Sequence, residues 1–210
     1  MTYQGWIIFV MFWAVFVTTP GPNAVNCISN GMRLGFWRSL PAVGAILTQA
    51  SLFLALSALG VTALLTASET AFQVVKLTGA AFLIVLGVRG WMTAKTPPKT
   101  HDSGGSIYWR AFAIATINPK SVAGYLAAFS QFVQPDVPIG PQMWVIVPTA
   151  LILTSLSYCS YTALGAGLGR AALGAVFNVW FRRVMAVCFV IYGVLLGASQ
   201  APGQGVGRAT

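Results

Sequence analysis

The sequence predicts an all-α, polytopic membrane protein of six transmembrane helices, built as two inverted three-helix repeats whose first and fourth helices are broken. Three observations carry that expectation. Of 210 residues 57% are hydrophobic and only 7% charged, against roughly 25% charged in soluble domains. A globule of this length still exposes much of its surface and needs charge to cover it. The apolar residues fall into runs near the ~20 residues that a helix needs to cross a bilayer core. Finally, most of the basic residues fall between those runs or near their ends. A net charge of +9 raises nucleic acid as a partner, but Lys and Arg are dispersed in ones, twos and threes rather than clustered among aromatics, so nucleic acid is excluded.

The runs cover residues 5–27, 40–66, 72–92, 107–133, 143–164 and 184–198. The last is short unless Trp180 and Phe181 extend it. The first run has no preceding Lys or Arg and contains Pro20-Gly21-Pro22 in place of a small-residue cleavage site, so it is expected to be a retained span rather than a signal peptide. Cytoplasmic loops carry an excess of Lys and Arg. Arg33, Arg38, Arg89, Lys95, Lys99, Arg110, Arg170, Arg182 and Arg183 fall on one side, Arg208 on the other, and Lys76 and Lys120 within runs. Both termini are therefore expected to be periplasmic, in the bacterial inner membrane. Glu69 and Asp136 belong to outer loops and Asp102 to the central cytoplasmic one, leaving no carboxylate inside a span.

The whole chain, 1–210, reads as one integral membrane domain. Pro97, Pro98, Gly104 and Gly105 mark a cytoplasmic linker over 94–106, between a first half at 1–93 and a second at 107–210. Three spans per half force opposite orientations, and each half opens with a helix interrupted at proline. That is the arrangement of an inverted-repeat transporter, with the site beside the interrupted helices.

In the first half the interruption is Thr19-Pro20-Gly21-Pro22-Asn23. Two prolines remove two backbone donors, so the helix opens and frees carbonyls that lipid cannot satisfy. Such a break is tolerated where it faces protein or a water-filled cavity; the alternative is a kink that only improves packing. The second interruption, Asn118-Pro119-Lys120, places an ammonium near mid-membrane, at an insertion cost of at least ~2.5 to 3.5 kcal/mol, which marks Lys120 as a site residue. Lys76, near the start of its span, is expected to snorkel to the interface.

Thr154, Tyr158 and Tyr161 share one face of the fifth span, where hydroxyls either line a polar route or hydrogen-bond between helices. Gly193 and Gly197 form a GxxxG suited to close helix packing, within one subunit or across a homodimer. His101 is expected to be solvated in a polar loop, and Cys27, Cys159 and Cys188 to serve as small hydrophobes. There is no carboxylate pair, no His with an acidic partner at a predicted active-site depth, no GxSxG and no metal-ligand spacing, so neither enzyme chemistry nor a cofactor or metal is called for.

Pro20-Gly21-Pro22-Asn23, the stretch Val75-Lys76-Leu77-Thr78-Gly79-Ala80-Ala81-Phe82-Leu83 continuing to Leu86-Gly87, and Asn118-Pro119-Lys120-Ser121 followed by Gln131-Phe132 resemble the LysE/RhtB family of bacterial amino-acid exporters. The resemblance implies a cytoplasmic-membrane protein that exports amino acids such as homoserine, threonine, leucine or basic amino acids, driven by the proton gradient. It also implies a substrate route near Pro22, Asn23, Asn118, Pro119 and Lys120. Some relatives carry an acid within the second or fifth span, where this chain has Thr48, Gln49 and Thr154. The reading of the residues is therefore efflux of a small, neutral amino acid or close derivative, its carboxylate held by Lys120 and an opened helix N-terminus, its ammonium by freed carbonyls, Asn23 or Asn118 and nearby aromatics. Protons are the expected coupling ion. An exporter of an inorganic ion or basic amino acid, and a non-transporting scaffold, are the alternatives.

Overall fold

A computed structural model describes residues 2–67, 69–96, 106–118, 120–121, 124–125, 128, 132–133, 137–176 and 178–198. Among the described residues there is no strand, and the chain forms α1 (Tyr3–Thr18), α2 (Pro22–Ala67), α3 (Glu69–Met92), α4 (Ile107–Ile117), α5 (Ile139–Leu168), α6 (Arg170–Val176) and α7 (Val179–Ala198). By length and composition, 22–60 of α2 and the whole of α5 can each cross a bilayer. The pair α6 and α7, bent by 44°, can supply a third span, and α1, α4 and residues 77–92 of α3 are shorter apolar helices.

Among the described residues, large apolar side chains stand exposed on every helix from α1 to α5 and on α7. Leu59 is 70% exposed and Ile117 79% exposed, which water would not tolerate as a continuous coat and lipid does. Trp37, Trp91, Trp109 and Trp180 lie exposed at helix ends near Gly35 and the linker, whereas Trp144 stands at the opposite end of the bundle. Aromatic residues at both ends match two bilayer interfaces. Arg33, Arg38, Arg89, Arg110, Arg170, Arg182 and Arg183 share the Gly35 and linker end.

Helices α1 and α5 run parallel, stitched by Trp6 to Thr149, Trp13 to Thr154 and Ser157 to Val17. The first segment of α2 lies along the second half of α5 through reciprocal glycine contacts. A Cβ on Gly31 would sit 2.3 Å from the Thr162 carbonyl oxygen, and one on Gly165 2.3 Å from that of Ile28. Backbones can approach this closely in lipid only where side chains are absent. Helices α3 and α7 form a second unit in the same way: a Cβ on Gly87 would meet the Ala186 carbonyl at 2.6 Å, and one on Gly193 that of Ala80 at 2.8 Å. Gly193 thus packs within the subunit, one of the two alternatives that the GxxxG spacing left open.

Several boundaries differ from the sequence expectation. No loop separates the first two spans; Gly35 alone turns the chain, at φ 76 and ψ 174, a conformation open to glycine. Beyond Gly169, at φ 54, the interval between the fifth and sixth runs holds the extra helix α6, which buries Ala172 and Val176 beside Ala24 and Ile28. The final helix starts at Val179, so Trp180 and Phe181 do extend it. Most of the linker, with His101 and Asp102, lies outside the described residues, as do Pro119, Asp136 and Arg208.

Candidate functional site

The site is built from the end of α1. In a continuous helix the carbonyls of Phe16 and Thr18 would receive the N–H groups of residues 20 and 22, but both are proline and have none. The chain is non-helical over 19–21 and resumes at Pro22, where proline is favoured at a first helical position. Side chains replace the missing donors. Ser157 donates to the Val17 carbonyl at 3.0 Å, Tyr161 donates to that of Thr18, and the Lys120 ammonium donates to that of Thr19 at 2.7 Å. The hydroxyls of Thr18 and Thr19 turn back onto Ala14 and Val15.

The second break has the opposite chemistry. Helix α4 ends at Ile117, and Asn118 bonds in both directions. Its N–H donates to Ile114, its side-chain oxygen accepts the Lys120 N–H at 3.1 Å, and its carbonyl accepts the N–H of Ser121 at 2.9 Å. It therefore closes one helix segment and caps the next. This starts the segment that carries Lys120, whose Nζ also lies 5.0 Å from the centre of the Phe16 ring. Gly21 leaves room for the lysine stem, a Cβ there lying 3.9 Å from Lys120 Cδ.

The two breaks meet at a cavity of ≈ 340 Å³, within the ~300 to 1,000 Å³ range of small-molecule sites. Its walls include Thr19, Pro20, Gly21, Pro22, Asn118 and Lys120 from the breaks, with Arg89 and Thr93 from α3 and its end and Arg182 and Phe189 from α7. Three cations and no acid stand among the described lining residues. Arg182 also ties the end of α3 to the start of α7, donating to the carbonyls of Ala94 and Thr96 at 2.8 Å each.

Of the sequence-derived residues, Pro20, Gly21, Pro22, Asn118 and Lys120 therefore converge on one space, while Pro119 lies outside the described residues. Asn23 is buried on the first turns of α2, and Tyr158 is buried on α5. Tyr161 caps the first break. Thr154 accepts from Trp13 and donates to the Ala150 carbonyl, a bond between helices and not a cavity wall. Arg89, Arg182 and Phe189 were missed as site residues: the arginines read as loop-flanking charges, and no sequence signal joins the third span to the sixth except the glycines at 87, 90, 193 and 197. A separate cavity of ≈ 460 Å³ lies between α1, α5, α6 and α7, with Thr18, Ser157, Ser160 and Tyr161 amid apolar walls.

A helical bundle with a lipid-compatible exterior and a polar chamber at two broken helices is the frame of a membrane transporter. The chain belongs to the LysE type translocator family, whose profile matches residues 14–200. It is 31% identical over 207 residues to an "Uncharacterized membrane protein" of Vibrio cholerae serotype O1, covering 96% of this chain and 100% of that one. It is 24% identical over 205 residues to a homoserine/homoserine lactone efflux protein of Salmonella typhimurium, covering 95% and 99%. With a leucine efflux protein of Salmonella choleraesuis it shares 30% identity over 162 residues, 72% of this chain and 74% of the relative. No solved structure matches the chain. Membership in a translocator family makes it a transporter and not an enzyme.

Proposed function

We propose that this translocator exports a small, neutral α-amino acid of homoserine or threonine type from the cytoplasm across the bacterial inner membrane. Six spans form two inverted halves, 1–93 and 107–210, joined by a cytoplasmic linker at 94–106, with both termini periplasmic. The gathering of arginines at the linker end supports that orientation, and the efflux names of the Salmonella relatives support the direction and class of transport.

The observation that carries the reading is the Lys120 to Thr19 contact at the wall of the cavity. The ammonium is held by one backbone carbonyl, and a substrate carboxylate entering the chamber can compete for it, with Arg89 and Arg182 drawing the anion in. The released Thr19 carbonyl then accepts the substrate ammonium. A basic amino acid would add a cation to a chamber that already has three, which disfavours that alternative. Export is driven by the proton gradient. Lys120 either alternates between protonation and carboxylate binding, which couples export to that gradient, or acts as a fixed cation while transport is uncoupled; Lys120→Arg separates the two, because a guanidinium stays charged.

Flux into or out of proteoliposomes, measured over a panel of neutral, acidic and basic amino acids and metal ions, tests the reading. Neutral amino acids are expected to move, with uphill accumulation under an imposed pH gradient. Movement of lysine or a metal ion without any neutral amino acid would overturn it, as would a protein that moves nothing and retains its cellular phenotype as Lys120→Ala.

A further inference from the structure

Asn23, Asn26 and Asn30 form a stripe on one face of the first segment of α2, at spacings of three and four residues, and each is at least 95% buried. The Asn26 side-chain oxygen accepts from the Arg110 guanidinium and from the Asn30 amide, both at 3.4 Å. Arginine only donates, so this contact fixes the amide's orientation and turns the Asn26 nitrogen away. That nitrogen has no hydrogen-bond partner. One turn earlier Asn23 offers the complement: its buried side-chain oxygen is unpartnered. A buried, unsatisfied amide atom costs ~1 to 3 kcal/mol, and here a spare donor and a spare acceptor lie a single helical turn apart, about 5 to 6 Å between Cβ atoms.

That pairing is the mirror of an α-amino-acid head group, in which a carboxylate and an ammonium share one carbon. We infer that Asn23, Asn26 and Arg110 form a second, occluded station for the transported amino acid: the Asn26 amide and Arg110 take the α-carboxylate, and the Asn23 oxygen takes the α-ammonium. The segment that carries them, residues 22–34, is bounded by the non-helical 19–21 and by Gly35, so it can pivot as a unit to admit the head group. The station recognises the head group and leaves the side chain free, which suits a family whose relatives are named for homoserine and for leucine efflux. The inference rests on the amino-acid transport reading above.

Asn26→Asp tests it in reconstituted full-length protein. Aspartate keeps the acceptor facing Arg110 and the size of the side chain, but it replaces the donor with an oxygen that repels carboxylate. The KM of a transported neutral amino acid is expected to rise at least about ten-fold, while the matching amine without a carboxylate keeps its KM within about two-fold. Asn23→Leu, which removes the acceptor, should raise the KM of the amino acid and leave that of the matching 2-hydroxy acid. If Asn26→Asp fails to fold, Asn26→Ala, which removes the donor without adding a charge, carries the same comparison. Unchanged amino-acid KM values in the variants, as expected if internal water alone occupies the stripe, would overturn the station and leave the transport reading intact. Wild-type protein that moves no amino acid would overturn both.

Discussion

The two helix breaks are opposites in chemistry. At 19–21 the prolines and the non-helical chain leave a row of acceptors, the carbonyls of Val17, Thr18 and Thr19, bonded by Ser157, Tyr161 and Lys120. At 118–120 the chain supplies its own cap through Asn118 and projects a donor, the Lys120 ammonium. Either break alone would be costly in a bilayer, the first for its bare carbonyls and the second for its charge. Together each satisfies the other. In the transport reading proposed above, that bond is the one exchanged for a zwitterion, which brings one group of each kind.

The largest expected effect comes from the packing that holds the first break in place. Gly165→Leu drives a side chain into the Ile28 backbone, so a loss of about 3 kcal/mol or more is expected, read as disappearance of the monodisperse peak in detergent chromatography. Restoring the donors has a different signature. The double variant Pro20→Ala, Pro22→Ala returns N–H groups to Phe16 and Thr18 and lets α1 run into α2. Flux is expected to fall about ten-fold or more, while the thermal midpoint holds or rises. A double variant with normal flux would mean that the opening at 19–21 is only a kink.

The second break depends on its cap. Asn118→Ala is expected to cost about 1 kcal/mol, seen as a lower thermal midpoint, and to raise KM by loosening Lys120. The smallest effects belong to the hydroxyls on the first break. Ser157→Ala and Tyr161→Phe each remove one donor from a carbonyl, worth about 0.6 kcal/mol in membrane bundles. Their sum is expected in the double variant, because they serve different carbonyls.

Both breaks were legible in the sequence, because proline acts through its own covalent structure and a lysine in an apolar run is conspicuous in any fold. What joined them was not legible. The partner of Lys120 is a backbone carbonyl, which no residue type advertises. Arg89 and Arg182 looked like topological charges because their role in the chamber depends on α3 packing against α7. The hydroxyls of the fifth span left two readings open, and the structure divides them: Thr154 holds Trp13, and Tyr161 holds the break. Gly35 turned the chain where a loop had been expected, since a single glycine at positive φ does the work of several residues.

The most direct test of the central claim is Lys120→Met, assayed in parallel for neutral amino-acid flux in proteoliposomes and for thermal unfolding. Methionine keeps most of the length of the side chain and removes the charge, so the ~2.5 to 3.5 kcal/mol cost of an ammonium at membrane depth is removed and offsets the ~1 to 3 kcal/mol of an unpaired Thr19 carbonyl. If the ammonium is the substrate's carboxylate partner, flux should fall at least about 100-fold, a loss of about 2.7 kcal/mol in transition-state stabilisation, with an unfolding midpoint at or above that of the wild type. Wild-type flux, or a protein that no longer folds, would show instead that Lys120 is a structural pin between the two breaks.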